Sequence, residues 1–209
     1  MRVISSNQES LALAANILLD GGVVCIPTDT VYGLAASAID EKAVLSVFSL
    51  KRRRRSLALP VLVNSTDIVE DCVQNISYEA RTLAEEFWPG ALTMIFDSAG
   101  IVPNLVTAGT GKLAVRIPNH MVPLSLCQQT GVPIIGTSAN TSGKPPLTSA
   151  RNVEEHFSNS SLRLVIDGGD SKSFSPSTVI DVSCSPPFIV REGVLSKGEI
   201  FDRCGIEVE

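Results

Sequence analysis

Short apolar segments typical of strands alternate with segments of helical periodicity along almost the whole chain of 209 residues. Several successive strands are separated by too few residues for a crossover helix, so they must run antiparallel. We therefore expect an α/β protein with a twisted sheet of mixed parallel and antiparallel strands. With 44% hydrophobic residues the chain can bury a large core, and residues 1–209 are expected to form a single domain.

Start and stop signals delimit most of the predicted elements. Asp40 is suited to cap a helix that ends near Lys51, and Pro89 ends a helix that begins at Ser77. Because Pro60 has no N–H to donate, the strand predicted over 57–63 is expected at an edge or a bulge. The remaining predicted elements are a first helix around 11–19, a helix at 121–130, a short closing helix, and strands at 23–26, 92–96, 112–117, 134–135, 162–166, 178–182 and 188–190.

The segment from Ile134 to Lys144, with the sequence IIGTSANTSGK, runs from an apolar strand into eight consecutive small, hydroxyl-bearing or amide-bearing residues. A packed core gains little from such residues. Their size lets backbone amides approach a ligand, and their hydroxyl and amide groups can hydrogen-bond phosphate or carboxylate oxygens. The segment indicates an anion-binding loop, with a solvated turn or a helix cap as the alternative when it is taken alone.

Positive charge lies beside apolar strands or helices at three further places. Lys112 and Arg116 share one face of a predicted strand, Arg191 directly follows another, and the run 51–55 follows a predicted helix. An arginine withdrawn from water needs an anionic partner, which is either a carboxylate of the protein or a bound ligand. Each position alone admits a structural alternative, an ion pair or, for 51–55, a basic surface patch. Together with the polar loop, these positions favour a ligand-binding site over the structural alternatives.

The overall composition excludes several classes of protein. Five scattered cysteines and two histidines lack the spacing of a zinc site or a disulfide framework, so we expect no metal ligated by protein side chains. A net charge of −5 and only 5% aromatic residues argue against broad nucleic-acid binding. The start of the chain lacks a signal-peptide h-region, and no apolar run approaches the about 20 residues that span a bilayer. We therefore expect a soluble cytoplasmic protein that does not bind membranes.

Together these segments resemble the YrdC-like family, whose members act as L-threonylcarbamoyladenylate synthases. The resemblance covers nearly the whole chain, and the ordered set of motifs is highly specific although each motif alone is weak. It implies a three-layer α/β fold with a twisted mixed sheet and an open cleft, without the additional C-terminal domain of longer members. The motifs are PTDTVYGL (27–34), Lys51-x-Arg53, WPGALT (88–93), AVRIPNH (114–120), TSANTSGKP (137–145), PSTVID (176–181) and Arg191 in FIVREG.

The resemblance also implies roles for individual residues. The cationic pair that faces the nucleotide phosphates, and would carry catalysis, is matched by Lys51 and Arg53. The ATP-binding set contains this pair together with Lys112, Ser138, Asn140 and Arg191. The L-threonine-binding set contains Thr30, Arg116, Gly136 and Ser177. Several positions depart from the family pattern. Lys112 replaces a more typical hydroxyl residue, and Leu62 stands where some relatives have a substrate-contacting histidine. The other departures are at Arg54, Leu57, Ala58 and Glu192.

The implied reaction joins L-threonine, bicarbonate or carbon dioxide, and ATP into threonylcarbamoyl-AMP and releases pyrophosphate, for later transfer to a tRNA adenosine by downstream transferase machinery. It needs aligned reactants and cations rather than an enzyme nucleophile, with Mg²⁺ bound through the nucleotide phosphates. Two alternatives stay open: an RNA-binding or ribosome-maturation module that binds RNA weakly through its basic residues, and a relative that accepts another amine or carbamoyl donor. His120 is interpreted as a structural hydrogen-bonding residue, with a site role as the alternative.

Overall fold

The computed structural model describes residues 1–171 and 173–209, whose strands form two mixed sheets packed with helices. The helices are α1 (Gln8–Leu19), α2 (Glu41–Lys51), α3 (Thr66–Cys72), α4 (Tyr78–Phe87), α5 (Asn104–Thr107), α6 (Met121–Thr130), α7 (Ala150–Phe157) and α8 (Lys197–Cys204). The strands are β1 (Arg2–Ser5), β2 (Val24–Ile26), β3 (Gly33–Ala35), β4 (Val61–Leu62), β5 (Val73–Gln74), β6 (Leu92–Ser98), β7 (Lys112–Arg116), β8 (Ile134–Ile135), β9 (Thr137–Ser138), β10 (Leu164–Asp167), β11 (Thr178–Asp181) and β12 (Phe188–Arg191).

Both sheets mix parallel and antiparallel neighbours. The five-stranded sheet has the order β1-β10-β2-β3-β9, and the seven-stranded sheet has the order β12-β11-β6-β7-β4-β8, with β5 also paired to β6. The pairs β1/β10 and β6/β11 are parallel, whereas β2/β3 and β6/β7 are antiparallel. The mixed α/β fold expected from the short connections is therefore confirmed, but the strands are divided between two sheets instead of lying in one.

One continuous segment joins the two sheets at Gly136. On its N-terminal side β8 pairs with β4 of the larger sheet, and on its C-terminal side β9 pairs with β3 of the smaller sheet. Gly136 donates its N–H to the carbonyl of Pro60 at 2.9 Å. A Cβ atom at Gly136 would lie 2.3 Å from the Cγ of Leu62, so this close approach requires glycine.

The strand predicted over 57–63 is shorter than expected and differently placed. Only Val61 and Leu62 pair, and β4 lies between β7 and β8 instead of at an edge. The prediction of an edge or a bulge was wrong because Pro60 precedes the ladder, where its missing N–H removes no sheet hydrogen bond.

Side-chain caps begin the helices that the sequence predicted. Asp40 accepts from the N–H of Lys42 at 2.8 Å and thereby starts α2, and Ser77 starts α4 in the same way. The Nδ1 atom of His120 accepts from the N–H of Val122 at 3.2 Å and starts α6. The sequence analysis did not predict β1, β3, β5, β9, α3, α5 or α7.

Buried apolar contacts fix α6 against α1 and the five-stranded sheet. The smaller of the two hydrophobic clusters joins α1 and α6 to the five-stranded sheet through Ala14, Leu18, Leu126 and Ile166. Burial of each such leucine contributes about 1.5–3 kcal/mol relative to exposure. Within the described ranges, no helix combines the length and the apolar character needed to cross a bilayer.

Candidate functional site

A cavity of about 300 Å³ is lined by residues of both sheets. Its apolar wall consists of Ile26, Pro60, Leu62, Ile95, Ala114, Val179 and Val190. The side chains with polar or charged groups are Thr28, Thr30, Tyr32, Arg53, Thr93, Arg116, Thr137, Ser138, Ser177 and Arg191. The three arginines are the only charged residues among its described lining, so the cavity favours anions.

Arg116 lies at the end of β7 and is almost fully buried. Its Nε donates to the carbonyl of Gly90 at 2.8 Å, Nη1 to the hydroxyl of Thr30 at 3.2 Å, and Nη2 to Asp29 Oδ1 at 2.7 Å. A guanidinium has five N–H groups, so one remains on each of Nη1 and Nη2. Burial lowers the pKa of Arg116, and Asp29 opposes this effect. Both interpretations of this arginine therefore apply: it forms a structural ion pair and still faces the cavity.

Arg191 ends β12 and contacts the start of β11. Its Nη2 donates to the carbonyl of Ser177 at 2.8 Å and lies 3.4 Å from the Ser177 hydroxyl, which in turn is 2.8 Å from the hydroxyl of Thr93. Burial and then the neighbouring charge of Arg116 lower the pKa of Arg191. Gly193 permits this approach, because a Cβ at that position would lie 2.2 Å from the carbonyl oxygen of Pro176.

Arg53 reaches the cavity from the turn that follows α2. Its Nη2 donates to the carbonyl of Ala58 at 2.8 Å and its Nε to that of Leu57 at 3.3 Å. Burial and then the charge of Arg191 lower the pKa of Arg53. Arginines that lower each other's pKa are close enough to repel, and a bound polyanion would relieve this repulsion.

Lys51 is buried behind the cavity instead of lining it. Its ammonium group donates to the backbone carbonyl of Ser138, to the carbonyl of Asn140 at 3.0 Å and to Asn140 Oδ1 at 3.2 Å. These three acceptors occupy all three N–H donors of a lysine. Burial and then the charge of Arg53 lower the pKa of Lys51 to about 7. The ammonium group therefore fixes the loop that begins at Ser138, and the phosphate contact of Lys51 stays a prediction.

The loop is also held from its other side. The N–H of Ser142 donates to the carbonyl of Lys51 at 2.8 Å, and the N–H of Ala139 donates to that of Tyr32 at 2.7 Å. Ser138 faces the cavity and donates its hydroxyl proton to Asn140 Oδ1 at 2.6 Å. Asn140 is 7% exposed and does not line the cavity, so it supports Ser138 from behind.

Lys112 is not brought to the cavity. Its ammonium group pairs with Asp181 Oδ2 at 2.8 Å, which raises the pKa of Lys112 and lowers that of Asp181 despite the burial of the carboxylate. Lys112 shares a strand face with Arg116 as predicted, but four residues separate them, which is about 13 Å along a strand. The assignment of Lys112 to the ATP-binding set stays a prediction, because the contact observed for its ammonium group is the ion pair with Asp181.

Seven of the ten residues in the predicted ATP-binding and L-threonine-binding sets line this cavity. They are Thr30, Arg53, Arg116, Gly136, Ser138, Ser177 and Arg191. The structure adds Asp29, which orients Arg116, and Thr93, which orients Ser177. Both lie inside motifs quoted above, but only the fold shows their contacts. His120 caps α6 through Nδ1, and burial lowers its pKa.

The described residues contain no group of three or more His, Cys, Asp or Glu side chains that could hold a metal ion. The lining of the cavity likewise offers no carboxylate ligand among its described residues. Among the described residues, the side chains at the cavity therefore do not supply the carboxylate ligands of a resident magnesium site.

Comparison with known proteins gives a consistent set of relatives. Residues 16–193 match the model of the Sua5/YciO/YrdC family, which is described as "Telomere recombination". The chain is 40% identical over 190 residues to the threonylcarbamoyl-AMP synthase of Pyrococcus abyssi and 36% identical over 198 residues to that of Bacillus subtilis. These alignments cover 91% and 94% of the chain but 56% and 57% of the two relatives.

A solved structure shares the fold over the whole chain. The crystal structure of P. abyssi Sua5 complexed with L-threonine matches with a TM-score of 0.95 and 37% sequence identity, and the match covers 100% of this chain and 63% of that one. The chain therefore spans less than two thirds of the length of these relatives.

Proposed function

Because the chain belongs to the Sua5/YciO/YrdC family, we propose that it is an L-threonylcarbamoyladenylate synthase. This nucleotidyltransferase activity forms threonylcarbamoyl-AMP and pyrophosphate from L-threonine, bicarbonate or carbon dioxide, and ATP. The observation that carries the proposal is the convergence of Arg53, Arg116 and Arg191 on one cavity whose described lining has no acidic side chain. A triphosphate and an amino-acid carboxylate are anions that such a cavity can bind together.

We assign the amino-acid carboxylate to Arg116. Its two remaining N–H groups, on Nη1 and Nη2, match the bidentate geometry of a carboxylate, while Asp29 and Gly90 hold the guanidinium in place. The hydroxyls of Thr30 and Ser177 lie on the same cavity wall and can hydrogen-bond the amine or the side-chain hydroxyl of L-threonine. The threonine complex of the P. abyssi protein supports this choice of amino acid.

We assign the nucleotide phosphates to Arg53, Arg191 and the Ser138 loop. Both arginines keep free N–H groups after their contacts to backbone carbonyls. Lys51 acts as a positioning residue, because it fixes the carbonyl groups of Ser138 and Asn140 without reaching the cavity.

The reaction then requires proximity and charge neutralisation. The threonine nitrogen adds to carbon dioxide to give a carbamate, and a carbamate oxygen attacks the α-phosphorus of ATP as the bond to pyrophosphate breaks. Arg53 and Arg191 neutralise the charge that develops on the phosphoryl and pyrophosphate oxygens. Mg²⁺ would arrive as part of the nucleotide substrate, and no step is assigned to it here. The product would pass to the transferase machinery that modifies tRNA adenosine.

Leu62 supports a second candidate, in which the same chemistry uses another amine. Its side chain packs on Gly136 and borders the cavity, where it offers no hydrogen bond to a substrate hydroxyl. A panel of amino acids in the same assay separates the two candidates, because the main proposal requires a clear preference for L-threonine over valine and serine.

The test is threonine-dependent release of pyrophosphate by the purified chain with ATP, bicarbonate and Mg²⁺. Removing a positioned donor to developing charge typically costs a factor of about 100 or more in rate, so Arg53→Ala and Arg191→Ala should show such losses. Arg55→Ala removes an exposed arginine of the same run and should keep the wild-type rate. Arg116→Ala should raise the KM for threonine more than the KM for ATP. Pyrophosphate release without threonine would refute the proposal.

A further inference from the structure

A second cavity, of about 320 Å³, lies behind the Ser138 loop and shares no lining residue with the first. It is open to solvent and is lined by the end of α2, by Thr141 and by the segment from His156 to Ser161 that ends α7. Its lining is largely polar and contains one permanent charge, that of Arg52, and no acidic side chain.

Arg52 is held in an unusual backbone conformation at this cavity. It ends α2 with φ 48° and ψ 40°, in the left-handed region that glycine normally occupies at helix ends. Its exposed side chain forms no ion pair within the described residues. The charge of Arg52 is therefore not neutralised by any described carboxylate.

The remaining groups around Arg52 are hydrogen-bonding groups of the kind that bind oxyanions. The hydroxyls of Ser49, Ser158 and Ser161 have no hydrogen-bond partner within the described residues, whereas Ser160 donates to the carbonyl of Phe157 at 2.7 Å. His156 closes the cavity by accepting through Nε2 from the N–H of Thr141 at 3.3 Å.

Helix dipoles oppose an anion at this position, because α2 and α7 both end here. The effect of a helix C-terminus is weak at a solvent-exposed surface. The last carbonyls are partly neutralised, since the Ser49 carbonyl accepts from the N–H of Arg52 and the Phe157 carbonyl from both the N–H and the hydroxyl of Ser160. A charge-assisted hydrogen bond from arginine is stronger than this effect, so attraction exceeds this opposition.

We propose that this second cavity binds a small phosphate-type oxyanion, with Arg52 as its charged ligand and the serine hydroxyls as additional donors. The site is separate from the nucleotide cavity and does not depend on the proposed synthase activity. Inorganic phosphate and pyrophosphate share the required chemistry and are distinguished by titrating each separately.

The two cavities lie on opposite sides of the same two chain segments. Arg52 and Arg53 are adjacent, as are Asn140 and Thr141, and Lys51 links the segments through both its ammonium group and its carbonyl. An oxyanion that joins Arg52 to this region therefore restrains the segments that hold Arg53 and Ser138. Binding at the two cavities should be coupled, and the coupling must be reciprocal.

The chain has two histidines, of which His156 lines the second cavity and His120 lines neither, and this allows a direct test by imidazole NMR. Phosphate is titrated at constant pH and ionic strength into protein saturated with a non-hydrolysable ATP analogue, which occupies the first cavity. We expect a saturable shift of the His156 resonances with little change at His120. Arg52→Gln should weaken this binding at least 10-fold, and Arg55→Gln, which removes an equal charge from the same run, should leave it unchanged.

Three outcomes would overturn the proposal. They are a His156 shift that does not saturate, an equal response in Arg52→Gln, and an equal loss in Arg55→Gln. Repeating the titration without the nucleotide analogue tests the coupling, because an unchanged phosphate affinity at His156 would contradict it. Since no turnover is measured, these results stand whether or not the synthase assay succeeds.

Discussion

Replacement of Thr178 by valine should strongly destabilise the segment that follows Arg191. The Thr178 side chain is fully buried at the start of β11. Its hydroxyl donates to the carbonyl of Leu195 at 2.6 Å and accepts from the N–H groups of Gly193 at 2.9 Å and Leu195 at 3.0 Å. One hydroxyl thus uses its entire hydrogen-bonding capacity on the backbone of one loop.

The magnitude follows from these three bonds. Valine preserves the shape of threonine but removes all three, at roughly 1 kcal/mol each, so Thr178→Val should lower the free energy of unfolding by about 3 kcal/mol. Thr178→Ser keeps the hydroxyl and removes one buried methyl group, which costs about 1 kcal/mol. The KM for ATP should rise more in Thr178→Val than in Thr178→Ser, because the loosened loop adjoins the strand of Arg191.

Urea unfolding followed by the fluorescence of Trp88, the single tryptophan, measures both variants. The m-value should stay the same, so that the midpoint reports stability. The reasoning fails if Thr178→Val loses less stability than Thr178→Ser, since the methyl group and not the hydroxyl would then be the important part of the side chain.

Three further changes test other parts of the site. Asp29→Asn should cost about 2 kcal/mol of unfolding free energy in urea, because Arg116 keeps its burial and loses its charged partner; unchanged stability would contradict the ion pair. Gly136→Ala should lower the free energy of unfolding by about 1–3 kcal/mol, because the new methyl group collides with Leu62. The same substitution should cost less in a Leu62→Ala background, and an equal cost in both backgrounds would place the strain elsewhere. Burial lowers the pKa of Lys51 in the folded protein from 10.5 to about 7, so between pH 7 and 10 the unfolded chain binds more protons at this residue. The free energy of unfolding, taken relative to that of Lys51→Met, should therefore rise with pH by up to about 1.4 kcal/mol per pH unit. Parallel plots of unfolding free energy against pH for the two proteins would refute this.

Local signals in the sequence were sufficient to predict several helices and strands. The helix predicted at 121–130 is observed with those bounds, Asp40 caps α2 as expected, and the helix predicted from Ser77 is observed with Ser77 as its cap. Caps and apolar periodicity act over a few residues, so they can be interpreted without knowledge of the fold. The helix α7 also has a strong apolar face, with Ala150, Val153 and Phe157 buried, and the sequence analysis missed it.

Long-range placement was harder to predict. Lys112 and Arg116 do share a strand face, but periodicity does not say which end of the strand meets the cavity, and Asp181 is 69 residues from Lys112. The Lys51-x-Arg53 motif likewise gives no sign that its lysine is buried behind the loop while its arginine faces the cavity. The left-handed turn at Arg52 separates the directions of these side chains.

The sequence by itself determined the types of element, the mixed pairing that short connections require, the polar loop and the need of strand-borne arginines for anionic partners. These properties depend on backbone sterics, hydrogen-bonding capacity and desolvation, which belong to each residue and its near neighbours. Only the tertiary structure decided that the strands divide into two sheets, that the chain crosses between them at Gly136, and that Arg53, Arg116 and Arg191 meet. Those outcomes depend on packing between segments far apart in the chain, where one contact, such as Arg116 with Asp29, spans 87 residues.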